Sequence, residues 1–455
     1  MLRQPSIAER LVAAPERVAA ATRLSCVGQV GAVSGLAAEV EGIAGLLAVG
    51  DRVTLAPRLG RPITAEVVGF RGGRARALAF GDVTGLGSGT PASVPFSVNE
   101  HGTTGLRISG RWLGRVVDPL GLPVDGSGAL GGGKLRQVRI DPPSAGLRAR
   151  LGPRVSLGVR ALDLFTTCRT GQRLGLFAGS GVGKSTLLAM LAQQADCDVI
   201  VLALVGERGR ELREFLEDDL GAAGLARSVV VVATSDQPPL MRREAAYTAM
   251  AVAEHFRDEG KSVLLLMDSV TRFCLALREI GLAAGEPPAT RGYPPSVFAE
   301  LPRLLERAGP GLDGQGHITA IFTVLVEGDD HNEPVADAVR GILDGHVVLD
   351  RRIGETGRYP AVDVLRSLSR TVPGCLEPDE ARVIRRAREV LATQSELADL
   401  VRLGAYQPGA DPAADEALRL APLIEDLLRQ ARGESSSLEQ AFEALKGIMG
   451  GSSAA

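Results

Sequence analysis

No apolar run in the 455 residues approaches the ~18 to 20 needed to cross a bilayer. The first 26 residues carry Arg3, Glu9, Arg10, Glu16 and Arg17 throughout their length, so neither a membrane span nor a signal peptide is expected. Cysteine is also scarce. Cys26, Cys168, Cys197, Cys274 and Cys375 are scattered, odd in number and free of C-x-x-C spacing, which argues against a disulfide framework or a zinc site and for a reducing cytoplasm. Neither sign of charge dominates: the net charge is -3, unlike that of a protein whose main business is coating nucleic acid, although a local basic patch remains open. What is present is 45% hydrophobic and 23% charged residues, ordinary for soluble globular proteins and enough for two to four domains with real cores.

One eight-residue string implies a ligand directly. Gly179-Ser180-Gly181-Val182-Gly183-Lys184-Ser185-Thr186 reads as a phosphate-binding loop. Its glycines let successive backbone N–H groups point at phosphate oxygens, Lys184 adds a mobile charge, and Ser185 offers a hydroxyl to Mg²⁺. An apolar strand precedes it and a helical stretch, 187–194, follows, as the motif demands. Ala178 replaces the first glycine of the strict pattern.

Residues 1–25 form an Ala-rich extension with apolar Ile7, Leu11 and Val18 among charges. This suits a short amphipathic helix that docks a partner or a membrane surface; a frayed terminus is the alternative. From 26 to 95, short β-branched runs separated by glycine (28–33, 53–55, 64–70, 75–80) predict a small closed barrel. Residues 96–375 read as the next domain. They begin with a Gly- and Pro-rich connection reaching about 147 and continue as alternating strands and helices, whose apolar runs at 199–205, 228–233, 262–267 and 319–326 predict a buried parallel sheet. Residues 376–450 read as a helical domain with helices over 380–403, 416–432 and 438–448, the last opened by a capping box from Ser437 to Gln440. Residues 451–455 read as a flexible tail. The fold class is therefore α/β: an N-terminal β-barrel, a central parallel sheet flanked by helices around a P-loop, and a C-terminal helical domain.

Two carboxylates are expected beside the loop. The strand 261–268 delivers Asp268 at its C-terminal end, where ligands collect in open α/β sheets, to hold Mg²⁺ through water. The strand 201–205 ends in Gly206-Glu207-Arg208-Gly209-Arg210-Glu211, and hydrolysis needs a carboxylate to polarise water, a role that falls to Glu207.

At this point the chain resembles a family. The segments 177–188, 268–298, 326–334 (Val326-Glu327-Gly328-Asp329-Asp330-His331-Asn332-Glu333-Pro334), 342–346 and 360–370 are similar to the rotary-type ATPases related to F- and V-type catalytic subunits, above all to the type III protein-export ATPases of flagella and virulence systems. The resemblance spans about 28–446 and implies a RecA-like core that hydrolyses ATP with Mg²⁺ to drive protein export, of flagellar components in the first instance and of virulence factors as the alternative. It implies that the loop from Gly179 through Thr186 holds the nucleotide, that Arg208 and Glu211 support the γ-phosphate and the metal's water shell, and that Arg370 is an arginine finger. It implies further that Tyr359 and Tyr406 flank the adenine, with a packed core tyrosine as the alternative for Tyr406. Cys274 and the stretch 350–356 depart from the family pattern without touching a predicted catalytic group.

A finger must come from the neighbouring subunit when its own pocket is filled by the phosphate loop. Lys184, Glu207 and Arg370 all lie in this one sequence, so a homo-oligomeric ring, a hexamer by resemblance, is expected, whereas an ATP synthase or V-type subunit would need a complementary partner chain. The implied partners are a stator-like peripheral protein on residues 1–25, a central stalk-like protein, export chaperone–substrate complexes and the membrane export gate. The implied location is the cytoplasm, at the inner face of the cytoplasmic membrane. A Rho-like hexameric translocase shares the layout, but the acidic loop 327–333 and the few aromatics of the barrel region oppose nucleic acid as a partner.

Overall fold

The computed structural model describes residues 25–95, 105–326 and 333–450. The N-terminal extension and most of the acidic 327–333 loop lie outside the described residues. The chain forms two compact units. One is drawn from residues 25–95 with 238–240 and 279–287, the other from the remaining described residues.

In the first unit β1 (Ser25–Ser34), β2 (Ala37–Glu41), β3 (Arg52–Leu55), β4 (Ile63–Arg71), β5 (Arg74–Ala79) and β6 (Pro91–Pro95) close a barrel in the order β1-β2-β5-β4-β3-β6. Alternation sends Val53 and Leu55 of β3 inward and leaves Arg52 and Thr54 partly exposed, the period-two pattern of a strand with one buried face. Strands β2 and β6 went unread in the sequence because Ala-Ala-Glu-Val-Glu and Pro-Ala-Ser-Val-Pro are weak strand formers. Their pairing with β1 supplies what propensity does not.

The second unit is built on one sheet. Its strands are β7 (Arg115–Val117), β8 (Arg173–Ala178), β9 (Val199–Glu207), β10 (Ser228–Thr234), β11 (Ser262–Asp268), β12 (His317–Leu325), β13 (Gly345–Leu349) and β14 (Val362–Ser369). They lie in the order β14-β13-β8-β12-β11-β9-β10-β7, and Gly309–Pro310 also pairs with β12. All neighbours from β13 to β7 are parallel; β14 runs antiparallel at the edge. The central strands are buried on both faces, which explains their continuous apolar runs. One face packs Leu174, Leu176, Ile200, Leu202, Leu264 and Leu266 beneath helix α1 (Lys184–Gln194). The other packs Val201, Ala203, Val231, Leu265 and Phe322 beneath α2 (Pro239–Asp258), α3 (Val270–Ala284) and α4 (Pro295–Leu305). Strand β7 comes from the stretch read as connection, and the flanking Gly105–Ile108 and Lys134–Gln137 pair with each other.

The C-terminal helices are α5 (Pro378–Arg402), α6 (Pro412–Leu428) and α7 (Leu438–Gly450). The expected capping box opens α7: the Ser437 N–H donates to the Gln440 side chain at 2.9 Å, and the Gln440 N–H to Ser437 Oγ at 3.2 Å. The middle helix was expected to reach Arg432 but stops at Leu428. Beyond it Gln430 turns inward, 3% exposed, and donates to the Gly158 carbonyl at 2.8 Å while its own oxygen accepts from the Arg160 N–H at 2.9 Å. Gly433, at φ +75°, turns the chain onward.

Candidate active site

Because β8, β12, β11 and β9 are parallel neighbours in that order, their C-terminal ends present side chains to one edge of the sheet. The loop after β8 runs directly into α1, whose first residue is Lys184. Gly183 precedes it in the left-handed region at φ +88°, and a Cβ there would lie 3.3 Å from the Tyr359 ring. Conformation and space both demand glycine at this position.

Lys184 reaches across the edge. Its ammonium makes a close ion pair with Asp268 at the end of β11 and lies 3.5 Å from Glu207 at the end of β9. Burial alone would lower its pKa; the two carboxylates outweigh that, and the net shift is upward, so the ammonium stays charged. Burial pushes the Glu207 carboxyl above the ordinary glutamate range, reinforced by the Asp268 charge and opposed by Lys184 and Arg272. Asp268 is itself held by the Thr323 hydroxyl, which donates to it at 2.7 Å from β12.

Thr323 and Arg272 are the contributions that sequence reasoning missed. Gly206, at φ +73°, lets the stem of Arg272 pack against the backbone beside Glu207; a Cβ at 206 would come within 3.2 Å of it. The Arg272 Nε is buried without a hydrogen-bond acceptor, an unsatisfied donor next to the carboxylate pair and of the kind that an anionic ligand would satisfy. The available signal was its position in the first turn of the helix that follows Asp268.

The remaining predicted residues divide. Arg208 and Glu211 pair with each other at 2.8 Å on an exposed surface. Ser185 is exposed at the second position of α1. The Thr186 hydroxyl accepts from Arg432 at 3.0 Å, and the Ser180 carbonyl accepts from Arg351 at 3.0 Å. Tyr359, 45% exposed, lies against the loop at Gly183. Tyr406 donates to Asp415 at 2.8 Å in the connection between α5 and α6. Arg370 is exposed directly after β14. Strand register separates it from the loop: Ala178, where the loop begins, pairs with Leu349, which pairs with Val362 at the start of β14, whereas Ser369 pairs with Gly345 at the other end. Gly345 lies four residue steps from Leu349, because β14 bulges between Asp363 and Leu368, so Arg370, one residue beyond Ser369, sits about 16 Å along the sheet from the loop edge.

The donor set fits Mg²⁺. The Ser185 hydroxyl and the Asp268 carboxylate are hard oxygen ligands, and the Lys184 ammonium on Asp268 shows that this carboxylate already accommodates a cation. A phosphate loop on a parallel strand, with a lysine spanning two carboxylates at adjacent strand ends, defines a P-loop nucleoside triphosphatase of the RecA-like class.

Residues 158–369 match the ATP synthase alpha/beta family, nucleotide-binding domain, and residues 376–447 match the T3SS EscN ATPase C-terminal domain. The flagellum-specific ATP synthase of Caulobacter vibrioides is 53% identical over 96% of this chain and 98% of its own length. The type 3 secretion system ATPase of Xanthomonas euvesicatoria is 48% identical over 85% of each. Among solved structures, the assembled ATPase EscN of the enteropathogenic E. coli type III secretion system superposes with a TM-score of 0.85 at 40% identity, covering 92% of this chain and 99% of that one. The chain belongs to the type III protein-export ATPases within the ATP synthase alpha/beta family. It is a nucleotide-binding ATP hydrolase of type III export, with flagellar export as its main reading.

Proposed function

We propose that this chain powers flagellar type III protein export as a homomeric ring, a hexamer by resemblance. ATP hydrolysis at subunit interfaces releases substrates from chaperones and delivers them to the export gate at the membrane. The observation that carries this reading is the register of β14, which sets Arg370 at the opposite edge of the sheet from its own loop. A guanidinium so far from its own Lys184 serves a nucleotide held by the next copy. EscN has been solved assembled, and also with its central stalk EscO, at 40% identity and a TM-score of 0.82 over 92% of this chain and 99% of that one; self-assembly and a stalk-like partner for this chain follow by extension. A stator-like protein on residues 1–25 belongs to the same reading. The flagellar assignment is supported by the Caulobacter relative and by the flagellum-specific ATP synthase of Bacillus subtilis, 46% identical over 93% of this chain and 95% of its own length.

The residues divide the chemistry. Loop N–H groups and Lys184 bind the β- and γ-phosphates, and Tyr359 flanks the base. Ser185 and Asp268 would hold Mg²⁺, which when bound polarises the phosphoryl oxygens. Glu207 orients the attacking water and accepts its proton at a carboxylate oxygen, Arg208 and Glu211 support the phosphate and the metal's water shell, and the neighbour's Arg370 neutralises charge developing on the γ-phosphoryl group.

Mixing tests the shared site. Lys184→Ala, Glu207→Gln and Arg370→Ala should each abolish turnover alone, the last with nucleotide binding largely intact. Mixed Glu207→Gln and Arg370→Ala subunits create interfaces with every group present, so activity should reappear in the mixture. A mixture as inactive as its components, in rings demonstrated to contain both, overturns the assignment of Arg370.

A further inference from the structure

Arg432 occupies the nine-residue connection between α6 and α7 that the sequence assigns partly to helix. Its guanidinium donates to Thr186 Oγ1 at 3.0 Å and pairs with Asp219 at 2.6 Å, yet the side chain remains 58% exposed. Each of its terminal nitrogens therefore has one partner and one further N–H to offer. The backbone beside it is anchored by hydrogen bonds. Two residues earlier, the Gln430 N–H donates to the Tyr359 carbonyl at 2.9 Å, and its buried side chain is tied to Gly158 and Arg160. Asp219 sits in a π-helical turn, Phe215–Leu220, a distortion that recurs at functional sites, and its carbonyl accepts from Gln193 of α1 at 2.6 Å.

These contacts set Arg432 on a definite side of the loop. Lys184 points toward Glu207 and Asp268, the side of the terminal phosphate. Thr186, two residues on, faces the connection that also holds Tyr359, the side of the base. A nucleotide running from Lys184 to Tyr359 must carry its α-phosphate past Thr186, where loop and helix N–H groups already favour an anion. A planar guanidinium with spare donors at that point matches a phosphate better than it matches the hydroxyl and the single carboxylate that now hold it.

We propose that Arg432, delivered by the C-terminal helices, is a nucleotide-binding residue that contacts the α-phosphate, with Thr186 and Asp219 holding it in position. This rests on the ATP site proposed above, and the test separates the two. For Arg432→Ala the KM for ATP and the Kd for ADP should rise about tenfold, as loss of one charge-assisted contact implies, with a smaller change in kcat; Arg432→Lys should recover part of the loss. Sulfur on the α-phosphate (ATPαS, each diastereomer) supplies the decisive readout: its penalty relative to ATP in the wild type should shrink in Arg432→Ala, because the contact it perturbs is gone. Wild-type KM and Kd in Arg432→Ala overturn the proposal. So does an Arg432→Ala penalty of equal size for ATP and both thio-diastereomers, the mark of a purely structural clasp. If Lys184→Ala binds ADP as the wild type does, the failure belongs to the site itself and not to Arg432.

Discussion

Arg272 illustrates how far a side chain's role depends on its neighbour's lack of one. Its stem lies where a Cβ of residue 206 would be, and its charge opposes the upward push that burial and Asp268 exert on Glu207. Removing it should leave Glu207 harder to ionise and the phosphate site short of a cation. Arg272→Ala should therefore lower kcat by about a hundredfold, the scale on which single pre-organised donors act, with Arg272→Lys intermediate; steady-state hydrolysis at saturating ATP measures this. The groups legible in the sequence, Lys184, Asp268 and Glu207, announce themselves by local context: a glycine loop, or a carboxylate at the end of an apolar run. Arg272 and Thr323 do not, since their relevance comes from strands β9, β11 and β12 lying side by side, and adjacency of that kind is not written in any single segment.

Among the elements, the short helix Arg160–Phe165 carries a buried carboxyl that titrates out of range. Asp163 accepts from Ser156 Oγ and the Leu157 N–H at 2.8 Å and from the Gly158 N–H at 3.2 Å, yet burial outweighs these donors and pushes it up to about 6 from an ordinary 3.8. A folded-state pKa above the unfolded one means that the native state holds the proton more tightly. The resulting stability is fully present below about pH 4 and is lost as pH rises through about 6. Compared with Asp163→Asn, which does not titrate, the wild type should lose about 2 to 3 kcal/mol of relative stability between pH 4 and pH 7, read by denaturant unfolding of both proteins across that range. Local signals also predicted the helix α7 cap and the parallel strands within a few residues. They failed where tertiary contacts override propensity: β2 and β6 are strands because β1 pairs with them, β7 is a strand because β10 receives it, and α6 ends early because Gln430 is claimed by Gly158 and Arg160.

For the whole molecule, the barrel strands, the parallel sheet and the C-terminal helices were legible as changes of periodicity along the chain, whereas the separation of Arg370 from Ala178 required the antiparallel register of β14. If sites are completed between copies, specific ATPase activity should fall on dilution through the assembly transition and recover on reconcentration, tracked by sizing at each concentration. Activity independent of concentration across that transition would exclude the shared site. On that reading the register of β14 would also give the assembly a polarity. Each copy would then offer its guanidinium at one end of the sheet and its phosphate loop at the other, so subunits would join head to tail. An open row then always strands one unserved cradle and one idle guanidinium at its two ends, and only closure of the circle brings those last two together.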